Sequence, residues 1–524
     1  MKLSPFVTGL IIVLLAALLA GTYIFINRIQ AGDAFTWEEA SHGLYGVWIW
    51  RDINASDWGA FWYDTGRQMV WPFLHSWLLA IFFLDFGVSY MSARLLSLVL
   101  FLVSVVLVYG IANQLSERSG WKIGIMASAL MLTSPLMVSF ASENMIEALG
   151  ALLFLAAAFL YTVCQRRRLI IHYVFLAIII GLCVYTNYIY AYFIIPAFVV
   201  VTLAKLGPLV VEAVRLSRKG EKAAVPFIWW AYKKLVVMFI LLVFAGVWFS
   251  FNFSRRIMLF MDTILRSGTA EGIGFLESLI YYPRIIIQQL SFSPWIGVFL
   301  LAALLLFYVS MRYRGMSKLF VFVWVTLILA TLTVAAKTPQ MIYIVVPFIF
   351  VIFSTAFVSV MEDLNKSSRK LAIGLVLVLL LPAMISLPRA YALYFPARSD
   401  QNLIDVLDYF KTEVPRGAEI GTILNLKRFN SEVIKFHFWD CDCNILTEDY
   451  QREGDVTGKN VYFLTLDLDK DSPYQKDVQD DSPYRWNAWL RDKEMKGEVR
   501  LYSTKRFESI GVTAKIFRNN PSYM

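Results

Sequence analysis

Charge is scarce in this chain. Asp, Glu, Lys and Arg make up 17% of its 524 residues, against roughly 25% in ordinary soluble domains. So little charge cannot keep a large surface wet, which excludes a soluble multidomain enzyme. Cysteine is scarce too. Four cysteines supply no disulfide framework, and a single Cys-x-Cys, Cys441 and Cys443, without paired histidines gives no zinc-ligand spacing. The lysine loop that cradles nucleotide phosphates is missing, as are the Gly-x-Ser-x-Gly elbow, the zinc-protease helix and the dinucleotide fingerprint. Energy from nucleotide phosphates is therefore not expected here. No repeat at solenoid or transporter period is visible.

What the chain has is apolar mass: 58% hydrophobic and 16% aromatic residues, with a mean hydropathy of +0.59. Eleven stretches are long enough to cross a bilayer as helices, near 5–27, 90–113, 122–140, 145–164, 169–186, 188–204, 235–251, 293–310, 318–335, 340–358 and 370–387. The first, from Pro5 to Ile26, is too long for the core of a signal peptide and reads as an uncleaved anchor.

The net charge of +9 is unevenly placed. Residues 398–524 hold 19 basic and 22 acidic residues, and residues 1–397 hold 29 and 17. The basic residues of the first part sit in short gaps between apolar runs, a pattern of membrane topology and not of nucleic-acid binding. Alternate gaps carry 19 and 8 basic residues, which predicts a cytoplasmic N-terminus and an extracytoplasmic tail in a multi-pass plasma (inner) membrane protein. The expected division is a membrane unit over residues 1–390 and an extracytoplasmic α/β domain over 391–524. In that tail Leu403–Phe410 has helical spacing, while Glu419–Leu424, Asn460–Leu466 and Thr513–Arg518 read as strands. The gap at 205–234 reads as a plain basic loop.

Ionisable groups at the ends of spans carry the chemistry. Glu38, Glu39 and His42 follow the first span, with Glu38 and His42 four apart and so on one helix face. Glu143 and Glu147 open the fourth span with the same spacing. Carboxylates this close to hydrocarbon are costly, which makes them functional candidates; the bland alternative is solvation or pairing with an arginine. Seven of the 16 tryptophans lie between residues 37 and 77. Most suit interface anchoring, and one or two suit stacking on a sugar. The run Asp467, Asp469, Asp471 lacks the glycine and closing glutamate of a calcium loop and reads as solvated.

The order of these features resembles the GT-C superfamily of membrane glycosyltransferases, in the branch of protein O-mannosyltransferases and lipid A aminoarabinose transferase. The resemblance covers about residues 5–390. It rests on Thr36-Trp37-Glu38-Glu39-Ala40, on Trp71-Pro72-Phe73-Leu74-His75-Ser76-Trp77, on Phe86-Gly87-Val88 and Ala93-Arg94-Leu95, on Ser134-Pro135, on Met145-Ile146-Glu147-Ala148-Leu149, and on Thr338-Pro339-Gln340-Met341 with Pro347. Three positions depart from the family pattern: Glu38 stands for Asp, Gln340 for Arg, and Asn187 for Lys.

The resemblance implies an α-helical GT-C-like fold that transfers a sugar from a polyprenyl-phosphate donor to a lipid, glycan or protein acceptor, with inversion, among membrane lipids and without nucleic acid. It implies Glu38, then Glu39, as general base. It makes His42, Trp71, His75, Glu143, Glu147, Asn187 and Tyr188 substrate-binding, and Lys337, Arg255, Arg256 and Gln340 the contacts to lipid phosphate. No cofactor is required; a divalent cation held by Glu38, His42 and Glu147 is the alternative. Two other readings stand beside it. An inactive relative could serve as a structural or assembly subunit. A transporter or flippase would need acids in mid-span, of which the sequence has almost none.

Overall fold

The computed structural model describes residues 4–69, 71–116, 118–167, 170–218, 258, 261, 275–305, 316–334, 337–394, 400–422, 424–446 and 461–520. Arg255, Arg256 and the expected span at 235–251 lie outside the described residues.

Helix α1 (Pro5–Ile24) starts behind Ser4, whose hydroxyl accepts the Val7 N–H, and proline takes the first helical position where no N–H is needed. It continues as a wider turn over Phe25–Gln30. Helices α2 (Trp37–Asn54), α3 (Trp58–Gly66) and α4 (Leu74–Phe86) fill the segment before the long α5 (Tyr90–Leu115). Then come α6 (Gly120–Thr133), α7 (Pro135–Ala141), α8 (Glu147–Arg167), α9 (Ile170–Val184) and α10 (Tyr188–Arg218). After the undescribed segment follow α11 (Phe275–Gln289), α12 (Pro294–Leu305), α13 (Met316–Leu332), the single turn α14 (Gln340–Tyr343), α15 (Val346–Ser367), α16 (Arg369–Ile385) and α17 (Leu387–Tyr394).

Among the described residues, three helices are long and apolar enough to cross a membrane: Pro5–Gln30, Tyr90–Leu115 and Val346–Ser367. The pair α6 and α7 makes a fourth if taken as one span, although it bends by 67°. The expected straight span at 122–140 is thus broken. Pro135 has no N–H to continue the ladder and pushes Ser134 into extended backbone, where its side chain caps the new helix. The expected span at 340–358 is displaced for a similar reason. Pro347 starts α15 afresh, and the helix then runs on to Ser367 through charged residues that end an apolar run but not a helix. Likewise α10 continues to Arg218, where a loop was expected from 205. Six further apolar helices are shorter.

From residue 403 the architecture changes. Helix α18 (Leu403–Glu413) is followed by β1 (Glu419–Gly421), α19 (Ser431–His437), β2 (Asn444–Leu446), β3 (Val461–Leu468), α20 (Ser482–Met495), β4 (Val499–Phe507) and β5 (Val512–Asn519). The five strands form one mixed sheet in the order β2-β1-β3-β5-β4. The first two pairings are parallel, and β3–β5 and β4–β5 are antiparallel. Cys441 and Cys443 are joined as a disulfide between α19 and β2.

Helices and sheet share one core. A continuous buried cluster runs from Val13 and Phe101 through Phe35 and Leu44 to Phe436, Phe463 and Ile516. The join lies at α2. A Cβ on Gly43 would come within 2.8 Å of the Phe436 ring, so only glycine lets α19 pack this closely. Phe35 packs against the same ring at a tilt, with centroids 4.6 Å apart. Asp33, ahead of α2, accepts from the Leu403 N–H at 2.9 Å and the Tyr474 hydroxyl at 2.7 Å. The Trp37 N–H donates to the Lys427 carbonyl at 3.1 Å.

Candidate functional site

The start of α2 organises the site. Thr36 and Glu39 form a reciprocal capping box, the Glu39 carboxylate accepting the Thr36 N–H at 2.9 Å. The same carboxylate takes two bonds from the Arg94 guanidinium, at 2.9 and 3.2 Å, and one from the Asn144 N–H at 3.0 Å. The Asn144 amide returns a bond to the Glu39 carbonyl at 2.8 Å. Arg94 also donates to the Asp33 carbonyl at 2.8 Å. Gly32 leaves room for this: a Cβ there would lie 2.5 Å from Arg94 Nη1. Burial alone would push the Glu39 carboxyl up, but Arg94 and the two backbone amides outweigh it and hold the group below the ordinary carboxylate range. Glu39 is therefore a buried, saturated charge that ties α2 to α5 and to the α7–α8 turn.

Glu38 is the next residue on the helix, about 100° around it, and it faces elsewhere. It lines a cavity of about 660 Å³ with Arg28, Glu143, Gln340 and Lys427, walled by Pro135, Leu136, Phe140, Met145 and Leu393. Its Oε2 accepts from the Gln340 side-chain amide at 2.9 Å. A second cavity of about 590 Å³ shares Arg28, Thr36, Glu143 and Lys427 with the first. It adds Asp33, Glu39 and Arg94, and on its far side Gln401, Asn402, Arg428, Tyr474 and Lys476 from the C-terminal region. The two cavities thus meet at one wall.

On that wall Arg28 donates to the Ser142 hydroxyl at 3.0 Å and the Leu393 carbonyl at 2.8 Å. Both partners are neutral, and the acid within electrostatic reach of it is Glu143. Glu143 accepts from the Ser139 hydroxyl at 3.0 Å. Burial pushes its carboxyl up to about 7, and the charge of Glu39 acts in the same direction, against Ser139, Arg94 and Arg28. A carboxyl in that range can both give and take a proton near neutrality.

The remaining expected site residues are placed as follows. Glu147, in the first turn of α8, is buried within electrostatic reach of Glu38, and one of its carboxyl oxygens has no hydrogen-bond partner. His42, His75 and Trp71 pack on one another, His42 lying 4.6 Å from Trp71 and 5.5 Å from His75 by ring centroids. Burial, with His75 beside it, depresses His42 well below the usual imidazole range, and burial lowers His75 to about 4. Both rings are held neutral. None of the three lines either cavity. Asn187 caps α10, its Oδ1 accepting the Ile189 N–H at 2.9 Å; neither it nor buried Tyr188 lines either cavity. Lys337 folds back on the carbonyls of Ala330, Thr331 and Val334 at the end of α13. There its ammonium has three helix-terminal acceptors in reach, and it lines neither cavity. Arg255 and Arg256 lie outside the described residues. Among the described residues, no group of three His, Cys, Asp or Glu side chains could hold a metal ion, so Glu38, His42 and Glu147 are not gathered into one.

Sequence reasoning missed Arg28, Asn144, Lys427 and Lys476. Arg94 lay within the quoted Ala93-Arg94-Leu95 motif, and its burial next to Glu39 was the unread signal. Lys427 carries none, because only the docking of the sheet region brings it to the wall.

Residues 71–214 match the family of dolichyl-phosphate-mannose-protein mannosyltransferases. The fold is similar to that of ArnT from Cupriavidus metallidurans bound to undecaprenyl phosphate. The TM-score is 0.59 at 12% identity, covering 97% of this chain and 98% of that one. It is also similar to the archaeal oligosaccharyltransferase AglB from Archaeoglobus fulgidus in complex with an inhibitory peptide and a dolichol-phosphate. There the TM-score is 0.53 at 13% identity, covering 85% of this chain and 64% of that one. No curated protein matches by sequence. The chain has the fold of the GT-C membrane glycosyltransferases, as its motif order implied.

Proposed function

We propose that this protein transfers a sugar from a polyprenyl-phosphate donor to an acceptor at the extracytoplasmic face of a membrane. The observation that carries this reading is the placement of Glu38: a carboxylate in a cavity with a largely apolar wall, lined also by an arginine whose hydrogen-bond partners are neutral. Such a wall suits a prenyl chain, and the cation suits the phosphate that leaves as an anion. ArnT, similar in fold over nearly the whole chain, is bound to undecaprenyl phosphate, and that lipid carrier is the donor class assigned here. Residues 1–390 form the membrane unit, with the N-terminus cytoplasmic and residues 391–524 outside, following the asymmetry of basic loops.

In this mechanism Glu38 takes the proton of the acceptor hydroxyl as it attacks the anomeric carbon, and Gln340 fixes the rotamer of Glu38. Arg28 and Lys427 stabilise the departing phosphate, in place of Lys337. Glu39 holds α2 in position and does not touch substrate. A second reading gives the base to Glu143, favoured by its place on the wall common to both cavities. The test is a transfer assay with purified protein, a panel of undecaprenyl-phosphate sugars and membrane extract as acceptor. Glu38→Gln should lose about 10²–10⁴-fold in product with unchanged binding of undecaprenyl phosphate. Full loss in Glu143→Gln with activity kept in Glu38→Gln would move the base. No product from the wild type, in protein that binds the lipid, would leave the inactive-subunit reading.

A further inference from the structure

Cys441 and Cys443 line neither cavity. A disulfide staple stabilises by closing a loop of the unfolded chain, and its gain grows with the length of that loop. Here a single residue, Asp442, separates the two cysteines, so the loop is very short and the gain is small. The turn is also held without sulfur. The Gly417 N–H donates to the Cys441 carbonyl at 3.2 Å, the Cys441 N–H to the Phe438 carbonyl at 2.9 Å, and the Asn444 N–H to the Ala418 carbonyl at 3.1 Å. Asp440 pairs with Lys411 of α18 at 2.5 Å. Trp439 packs edge-on against Trp50 of α2, with centroids 5.2 Å apart. Parallel pairing of β2 with β1 starts at Asn444, the next residue along. The sulfurs do not belong to a metal site either: among the described residues no group of three His, Cys, Asp or Glu side chains could hold an ion. A bond that staples so little is free to open and close.

The two sulfurs are not equivalent. Cys441 is 3% exposed, whereas Cys443 is half-buried and Asp442 at the apex is exposed. Asp442 has φ +54°, a left-handed conformation uncommon outside glycine, and opening the bond removes one constraint that keeps it there. An incoming sulfur reaches Cys443 before Cys441. We propose that Cys441–Cys443 is a thiol–disulfide exchange site whose substrate is a dithiol of another protein or peptide, with Cys443 the sulfur attacked and Cys441 the sulfur that leaves. In the first step a thiolate of the substrate bonds to Cys443 Sγ, and Cys441 Sγ departs with the electron pair and takes a proton. In the second step the other thiol of the substrate, deprotonated, attacks its own sulfur in the mixed disulfide, and Cys443 departs and is protonated. The substrate has lost two electrons and two protons and carries a disulfide; the two cysteines have gained them. A second partner that carries a disulfide restores the bond by the same steps in reverse. The inference is independent of glycosyl transfer. It requires only that the turn face a compartment where disulfides persist, as residues 391–524 do in the topology proposed above.

The test uses the full chain in nanodiscs, equilibrated with mixtures of reduced and oxidised glutathione, then alkylated and peptide-mapped at Cys441 and Cys443. A structural disulfide resists the glutathione pool, and an exchanging one does not. The expected result is that about half of the bond or more opens at about 10 mM reduced glutathione and closes again when oxidised glutathione is added. A synthetic peptide with two cysteines should be oxidised by the closed chain, one peptide for each bond lost. In Cys441→Ser the remaining Cys443 should take up glutathione from oxidised glutathione about tenfold faster than Cys441 does in Cys443→Ser, because burial withholds Cys441. The double variant Cys441→Ser/Cys443→Ser should keep the wild-type melting temperature and oxidise no peptide. A bond that opens only in denaturant overturns the proposal. So does a lowered melting temperature in the double variant, which would make the bond a staple, and so does a peptide that stays reduced beside the closed chain. Equal uptake by the two single variants overturns the assignment of Cys443 as the sulfur attacked.

Discussion

The two cavities share Arg28, Thr36, Glu143 and Lys427 and differ in what lies behind that wall. One is backed by Pro135, Leu136, Phe140 and Leu393, the other by polar side chains from beyond residue 400. The neighbouring carboxylates Glu38 and Glu39 differ in the same way. Glu38 has a single side-chain bond, from Gln340. Glu39 accepts four bonds, two of them from Arg94. One step along α2 separates a carboxylate that faces a cavity from one that holds the helices together. Adjacent acids of the same type therefore have unlike chemistry, because a helix turns them into unlike surroundings.

The comparison breaks most visibly at Glu39. Glu39→Gln leaves Arg94 buried without its counter-charge, and breaking such a pair costs about 3–5 kcal/mol. The variant should melt well below wild type in nanodiscs, and both cavities should lose function together; a wild-type melting temperature would show that Glu39 is no anchor. Arg28→Ala should keep the fold and weaken undecaprenyl phosphate by about tenfold to a hundredfold, the range of a lost charge-assisted bond. A binding isotherm identical to wild type would move the phosphate elsewhere.

Glu143 sharpens the comparison through pH. In the unfolded chain it releases its proton near 4.5, and in the folded protein it keeps it until about 7. Between those values the folded state binds more protons, so stability falls as pH rises and levels off beyond. The contribution is about 1–3 kcal/mol. Melting curves from pH 4 to 9 should show this slope in wild type and its loss in Glu143→Gln; parallel curves would refute it. The smallest effect is expected at Lys337. Lys337→Ala should cost under about 1 kcal/mol as a lost helix-end contact and leave the affinity for undecaprenyl phosphate unchanged, measured by the same isotherm as for Arg28.

Much of the helical part was legible beforehand. Apolar length gave the positions of α1 and α5 and only an offset one for α15; the serine and threonine caps at Ser4, Thr36 and Ser89 that start three of the helices went unread. The break at Ser134-Pro135 was present in the sequence but was read as a motif and not as a bend. The helix ends at Arg218 and Ser367 were missed because apolarity was taken to measure helix length, whereas backbone bonding continues through charged residues. In the tail, alternation located β3 and β5, while β4 was overlooked because its exposed positions, such as Arg500 and Lys505, blur the pattern.

The sequence by itself determined the class of molecule. Scarce charge, long apolar runs and the Thr36–Ala40 motif are local properties, and each has one economical physical outcome. Tertiary structure alone decided the chemistry of the site. Which carboxylate meets Arg94, which meets Gln340, and whether Lys337 or Lys427 reaches the wall depend on contacts across tens to hundreds of residues. Those contacts set burial and partner charge, and burial and partner charge set what an ionisable group can do.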